Sequence, residues 1–402
     1  MEELFKVINL DSKTKIGNLK TEAHSKVKST KYFPIYMIDG KKMIFKPLSK
    51  TKPLTTPFFA YSEVYWSYVI RKYFNDKTPR YYLAISNDIE KEQPKYYSQG
   101  VLVESNTPND EQLINLYDYF SSNNDPLVDI KDYVNYCMKN YDYTKILLSK
   151  FFNDDKERGK ELANQILLSI LRQDQNFHYE NINMYDIEAF PLAPPIDFEF
   201  STPFLYPDKK EEYQYQQDKY ISNLSIKYEE DMMSKLFKTL GEQNGIKLNS
   251  ILISNVCLIV KLYPDEVLKF IKKLDIFIDE LPNIKLSDPD NYIGNLNSDY
   301  WEVGHAYYKG NDIDKYKKLK SEIVLKTIDK ESTFKRISSD ILSFSKYLSL
   351  LLKMFLLAYY NGIEDLEELT IKKLLMKLDI TEDVLIKDIN IDTKELKLIK
   401  KQ

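Results

Sequence analysis

Residues 32–48 read YFPIYMIDGKKMIFKPL. Two runs of aromatic and branched residues flank Asp39 and Gly40, and a DG pair in that setting predicts a β-hairpin, because these two residues tolerate the positive φ angles of a tight turn. The second strand carries Lys46 near its end. SKTKPLTTP (49–57) then reads as a loop, and FFAYSEVYWSYVIRKYF (58–74) places apolar residues at intervals of three and four, the repeat of an amphipathic helix. Glu63 lies on that helix. PRYYLAI (79–85) predicts a further strand, and QGVLVESNTP (99–108) a strand that runs into a connector.

Beyond this point the repeat changes. EQLINLYDYF (111–120), TKILLSKFF (144–152) and ERGKELANQILLSILRQ (157–173) carry helical spacing, so a strand-rich part precedes a helix-rich one. Residues 174–204 then turn irregular and hold His178, Asn181, Asp186 and Asp197, with four prolines, between helical regions. Loops supported by rigid elements are where functional polar groups tend to collect. From about 210 onward the pattern is helical again, over 211–239, 247–281, 312–327, 332–361 and 370–378, with a connection rich in Pro, Asp and Asn at 282–299. The expected division is residues 1–104, a β-rich lobe; 105–210, a helical lobe bearing the irregular loops; and 211–402, a helical extension of mostly antiparallel helices packed on it.

A chain of 402 residues exceeds the usual size of a single core, which predicts more than one structural unit. The formal charge is −4, from 57 basic and 61 acidic residues mixed along the chain, and this offers no polybasic arm for nucleic acid. The 32 tyrosines are spread throughout and lack interleaved basic clusters, so packing explains them better than base stacking. Cys137 and Cys257 stand far apart in apolar surroundings and predict buried thiols in a reduced compartment. Glu2 and Glu3 open the chain without a basic start or an apolar run, which gives export no support and leads to a cytoplasmic expectation. The most apolar stretch, 341–360, is interrupted by Lys346 and Lys353 and is expected to be a core helix and not a membrane span.

Three histidines without a local cysteine or histidine cluster make a zinc centre a poor fit, and the chain has no GxSxG, GxxxxGK[ST] or HExxH motif. Phosphoryl transfer from a nucleotide needs a cation on the phosphates, an acid that fixes it, metal-holding groups and a group that orients the acceptor hydroxyl. Lys46 at a strand end, Glu63 on the next helix, Asn181 in a loop after a helix and Asp197 after an apolar run supply such a set in order. Each has an ordinary alternative: solvated charges for Lys46 and Glu63, a turn residue for His178, and local caps for Asn181 and Asp197.

The first 200 residues resemble the bacterial HipA-like serine/threonine protein kinases, with their small CtkA-like relatives, through IFKP at Lys46, YSEVYWSYVIRKYF at Glu63, NFHYEN at 176–181 and LAPPIDFEFS at 192–201. The resemblance implies an α+β, two-lobed protein-kinase-like fold and an ATP-dependent kinase that uses Mg²⁺ or Mn²⁺ and acts on an unidentified protein substrate or partner. By the same resemblance Lys46 contacts the phosphates and Glu63 pairs with it. Residues 101–104, with Val103 and Glu104, form the hinge; Asn181 and Asp197 hold metal; and His178 supports the loop. The nucleotide-covering loop falls at 25–30, SKVKST, without glycines. At the position five residues before Asn181 the family has Asp and this chain has Asn176. An amide cannot accept the hydroxyl proton as a carboxylate can. Two readings follow: Asp174 reaches the site through a distorted loop, or the chain is a pseudokinase or regulatory nucleotide-binding protein without turnover.

Overall fold

The computed structural model describes residues 4–22, 30–49, 57–93, 96–104, 113–115, 148–149, 151–174, 182–185, 198, 201, 204, 250–289, 292, 330–360 and 362. They belong to two compact units, each assembled from three separated stretches: Met1–Leu113, Pro194–Asp208 and Lys285–Ile337 in the first, and Ile114–Ala193, Lys209–Ile284 and Ser338–Gln402 in the second. Strands dominate the N-terminal region and helices the described residues after it.

The first unit is built on a six-stranded sheet. Its strands are β1 (Val7–Asn9), β2 (Lys15–Glu22), β3 (Thr30–Ile38), β4 (Lys41–Ser49), β5 (Tyr81–Ile85) and β6 (Tyr96–Glu104), in the spatial order β1-β5-β6-β4-β3-β2. The hairpin expected from the DG pair is present. Asp39 and Gly40 take φ values of 50° and 75°, the doubly positive turn that matches the right-handed twist of the flanking strands. Strand β4 runs on to Ser49, so Lys46 lies inside the strand and pairs with Val101, while Pro47 pairs with Gly100. Strand-like sequence begins only at residue 32, yet β1 pairs in parallel with β5, and β2 pairs antiparallel with β3 through a bulge between Lys15 and Gly17. Both are edge strands, which commonly carry charged and polar residues that discourage further pairing and so blur the strand pattern.

Helix α1 (Pro57–Val69), continued by a π-helical turn at Ile70–Phe74, forms where the three-and-four spacing predicted it. It is almost wholly buried: Phe58, Phe59, Tyr61, Val64, Tyr65, Trp66 and Val69 are all at most 2% exposed. A short helix α2 (Ile89–Glu92) leads into β6. EQLINLYDYF was expected to be helical, but its described residues form strand β7 (Leu113–Asn115), paired with β8 (Asn183–Tyr185). Here tertiary pairing overrides a weak local helical preference.

In the second unit, α3 (Lys156–Leu171) starts at an N-cap, Asp155, whose carboxylate accepts from the Arg158 N–H. The single helix expected over 247–281 is two, α4 (Ser250–Leu262) and α5 (Pro264–Glu280), because Pro264 cannot donate to the preceding turn and serves as the first residue of a new helix. Gly159 in α3 allows close approach to Tyr263: a Cβ there would stand 1.9 Å from the tyrosine hydroxyl. Cys257 is buried and outside any disulfide, as expected, whereas Cys137 lies outside the described residues.

The last described helix, α6 (Lys330–Tyr360), contributes its residues through Ile337 to the first unit and the remainder to the second. By length and composition it could cross a membrane, but 81% of its apolar window is buried. Within the second unit its Lys353, 7% exposed, pairs with Asp275 at 2.9 Å, and Ser349 donates to the same carboxylate at 2.7 Å. The helices expected at 211–239, 312–327 and 370–378 lie outside the described residues.

Candidate functional site

Lys46 reaches Glu63 from the sheet. The Nζ to Oε1 distance is 2.5 Å, with the lysine side chain 25% exposed and the glutamate 2%. A carboxylate this deeply buried needs a partner to remain charged, and Glu63 has two of opposite origin. Its Oε1 accepts from the Lys46 ammonium, and its Oε2 accepts from the backbone N–H of Phe198 at 2.8 Å. The next residue back on α1, Ser62, donates its hydroxyl to the Phe198 carbonyl at 2.5 Å. Both backbone groups of Phe198 are therefore held by α1, and its buried ring packs on Tyr81 of β5 at 5.5 Å. Strand, helix and Phe198 meet at one carboxylate.

Successive helical residues turn by about 100°, so Tyr61 projects from nearly the opposite side of α1 to Glu63. Its hydroxyl donates to Asp288 at 2.7 Å, and its ring lies 5.9 Å from Tyr292, 5.1 Å from Phe334 and 4.9 Å from Phe5. Burial, reinforced by the Asp288 carboxylate, pushes the Tyr61 hydroxyl far above the ordinary tyrosine range. Tyr292, fully buried, donates to the Gly100 carbonyl at 2.9 Å, and burial raises its hydroxyl as well. Gly100 has no room for a side chain: a Cβ would stand 2.4 Å from the Lys46 carbonyl oxygen and 2.7 Å from the Phe45 ring.

The hinge candidates lie in β6. Val103 pairs with Ile44 on one side and Tyr81 on the other, so its backbone is inside the sheet. Glu104 gives its N–H to Arg80 O at 2.9 Å, and its carboxylate accepts from Lys41 at 2.9 Å and from the Tyr82 hydroxyl at 3.3 Å.

Asp174 belongs to the second unit, and its surroundings are those of a helix stop. Gln173 takes a left-handed φ of 51°, its N–H donates to Ile170 O, and the Asp174 N–H donates to Ser169 O, the paired bonds of a Schellman cap closing α3. The Asp174 carboxylate, 3% exposed, accepts from Arg172 Nη2 at 2.7 Å, with the arginine 1% exposed. A buried carboxylate in that ion pair is poorly placed to meet a substrate hydroxyl. Asn176, His178, Asn181 and Asp197, and residues 25–29 of the covering loop, lie outside the described residues. Among the described residues no group of three or more His, Cys, Asp or Glu could hold a metal ion.

Of the expected set, the structure brings together Lys46 and Glu63, and it places Val103 in the strand beside Lys46. Ser62, Tyr61, Asp288 and Tyr292 join the site without a sequence signal that marks them for it. Ser62 has no motif of its own, and the last two sit in a stretch that composition marks only as a connection.

No family model matches the chain, and no curated protein does. A solved structure that does match is that of a Helicobacter pylori proinflammatory kinase, CtkA, at 12% identity and a TM-score of 0.35, covering 80% of this chain and 95% of that one. It is a protein of the kind the motifs resemble. No residue role passes from it to this chain.

Proposed function

We propose that the first unit is the nucleotide-binding part of an ATP-dependent serine/threonine protein kinase of the HipA-like type, which moves the γ-phosphoryl group to a protein hydroxyl. One observation carries this reading: Lys46 and the Phe198 amide share the two oxygens of a buried Glu63 carboxylate. The pair aims a partly exposed ammonium, as charge stabilisation on a transferring phosphoryl group requires. It also fixes the residue that follows Asp197. Consecutive Cα atoms are about 3.8 Å apart, so Asp197 is tied by one peptide unit to the nitrogen bound to Glu63, which supports it as the metal-holding acid.

Lys46 would bind ATP phosphates, and Asn181 with Asp197 would hold Mg²⁺ or Mn²⁺, whose charge would offset that of the phosphates. Because Val103 is paired on both sides and Glu104 is still in register with Met43, an adenine edge would be met at the Glu104 end of β6. The partner is a protein bearing a serine or threonine.

A second reading, a nucleotide-binding pseudokinase, is favoured by Asp174. Its carboxylate is buried against Arg172 and closes α3, which leaves Asn176 without that substitute. Thermal shift with ATP and Mg²⁺ or Mn²⁺ tests both readings. Binding at hundredfold excess over Kd adds about 2.7 kcal/mol of apparent stability, and the shift should vanish in Lys46→Met. Radiolabel transfer from ATP to protein, lost in Asp197→Ala, supports the kinase. A shift without transfer that becomes transfer in Asn176→Asp supports the pseudokinase. No shift with any nucleotide overturns both.

A further inference from the structure

The Lys46–Glu63 pair is held from behind by a segment more than two hundred residues away in sequence. Tyr292 donates to the carbonyl of Gly100, the residue paired with Pro47 on the strand that carries Lys46. Its ring lies against Tyr61, two positions before Glu63 on α1, and Tyr61 in turn donates to Asp288. Tyr292 thus touches α1, which presents Glu63, and β6, the strand paired with the one that presents Lys46. Gly100 packs closely on the backbone of Lys46, where an added Cβ would stand 2.4 Å from the Lys46 carbonyl oxygen, so a shift of Gly100 is felt by the strand that carries Lys46. Phe334 also packs on Tyr61, at 5.1 Å, and meets Phe58 at 5.8 Å.

We infer that Asp288 and Tyr292 are positioning residues for the Lys46–Glu63 pair, setting the separation of α1 from strand β4 and with it the binding of a nucleoside triphosphate. The inference rests on the nucleotide reading for its ligand. The effect on the pair itself does not. All four hydroxyl, carboxylate and carbonyl groups concerned lie in the first unit, in stretches Met1–Leu113 and Lys285–Ile337. The second of these stretches is therefore part of the machinery that shapes the site and not merely an appended helical region.

The test uses the full chain and two readouts. Tyr292→Phe keeps the ring and removes one hydroxyl; Asp288→Ala removes the acceptor of Tyr61; and Asp288→Asn restores an acceptor without charge. Kd for ATP with Mg²⁺ should weaken about threefold to tenfold in Tyr292→Phe and Asp288→Ala, the range of one buried hydrogen bond, and should recover in Asp288→Asn. In a Glu63→Gln background, Tyr292→Phe should change Kd by less than twofold, because residues acting through one group are not additive. The second readout is labelling of Lys46 by an amine-reactive reagent without nucleotide, followed by peptide mass spectrometry and calibrated with Glu63→Gln. It should rise in Tyr292→Phe and Asp288→Ala. If both variants lower thermal stability but leave Kd and Lys46 labelling as in the parent, the residues are merely structural and the inference is overturned. A parent that binds no nucleotide, with labelling that still rises in the variants, overturns the proposed function and leaves the positioning role standing.

Discussion

Removing either member of the Lys46–Glu63 pair should destabilise the first unit, and unequally. Glu63 is 2% exposed and Lys46 25%. In Lys46→Met the buried carboxylate loses the ammonium at 2.5 Å and keeps the Phe198 amide at 2.8 Å. Removing one partner of a buried pair costs about 3–5 kcal/mol, and the partial exposure of Lys46 places this case near the lower end, at about 3 kcal/mol. In Glu63→Gln the stranded group is instead the lysine, which can turn toward water, while the amide oxygen can still accept from Phe198. The loss is then closer to one charge-assisted hydrogen bond, about 1.5–2 kcal/mol. Trp66, fully buried three residues beyond Glu63, reports locally, and Trp301→Phe leaves it as the sole tryptophan. Urea unfolding followed by its fluorescence gives both values. Equal losses, a larger loss for Glu63→Gln, or losses below about 0.5 kcal/mol would refute the assignment of Glu63 as the buried hub.

Gly100→Ala should cost about 1–3 kcal/mol, the range for overpacking, since its Cβ would meet Lys46 O and the Phe45 ring; a stability within 0.5 kcal/mol of the parent would contradict this. Asp174→Ala should lower the thermal stability of the second unit through loss of the Arg172 partner and should leave ATP affinity unchanged; lost affinity with intact stability would return Asp174 to the nucleotide site. Alkaline pH should unfold the protein. Burial raises the hydroxyls of Tyr61, Tyr65 and Tyr292 above their ordinary value of 10.0, so the folded state keeps these protons when the unfolded chain has lost them. That stability is complete below pH 10 and falls above it, by about 1.4 kcal/mol per pH unit for each group. Urea midpoints at pH 9, 10 and 11 check this, and Tyr65→Phe should flatten the slope; a midpoint constant to pH 11 would count against the burial of these hydroxyls.

The elements that the sequence made legible are those whose residues carry their own instructions. The DG turn demanded positive φ and obtained it at Asp39 and Gly40, and the spacing in 58–74 placed α1 within one residue of its observed start. Strands β1 and β2 escaped because the charged and polar residues common on edge strands blur the strand pattern, and the division at Tyr263–Pro264 escaped because the apolar stripe runs across it while the backbone cannot. The ordered residues Lys46 and Glu63 were legible from motif order. Their supports were not, since Tyr61 to Asp288 spans 227 residues and Tyr292 to Gly100 spans 192, and no spacing rule connects such positions.

The same limit applies to the choice between Asn176 and Asp174. Residue counting favours Asn176 and residue chemistry favours Asp174, so the sequence leaves both open. What weighs against Asp174 is a local backbone feature: the left-handed Gln173 turns the chain, so that the Asp174 N–H closes α3 on Ser169 and its carboxylate folds back onto Arg172. A side chain recruited for helix termination and a buried ion pair would have to give up both in order to accept a hydroxyl proton. That argues that any catalysis by the natural chain proceeds without a carboxylate from Asp174. Asn176→Asp is therefore the substitution expected to raise phosphoryl transfer. Transfer that stays at the parent's level in Asn176→Asp, in a protein that still binds ATP, would refute that placement of the acceptor.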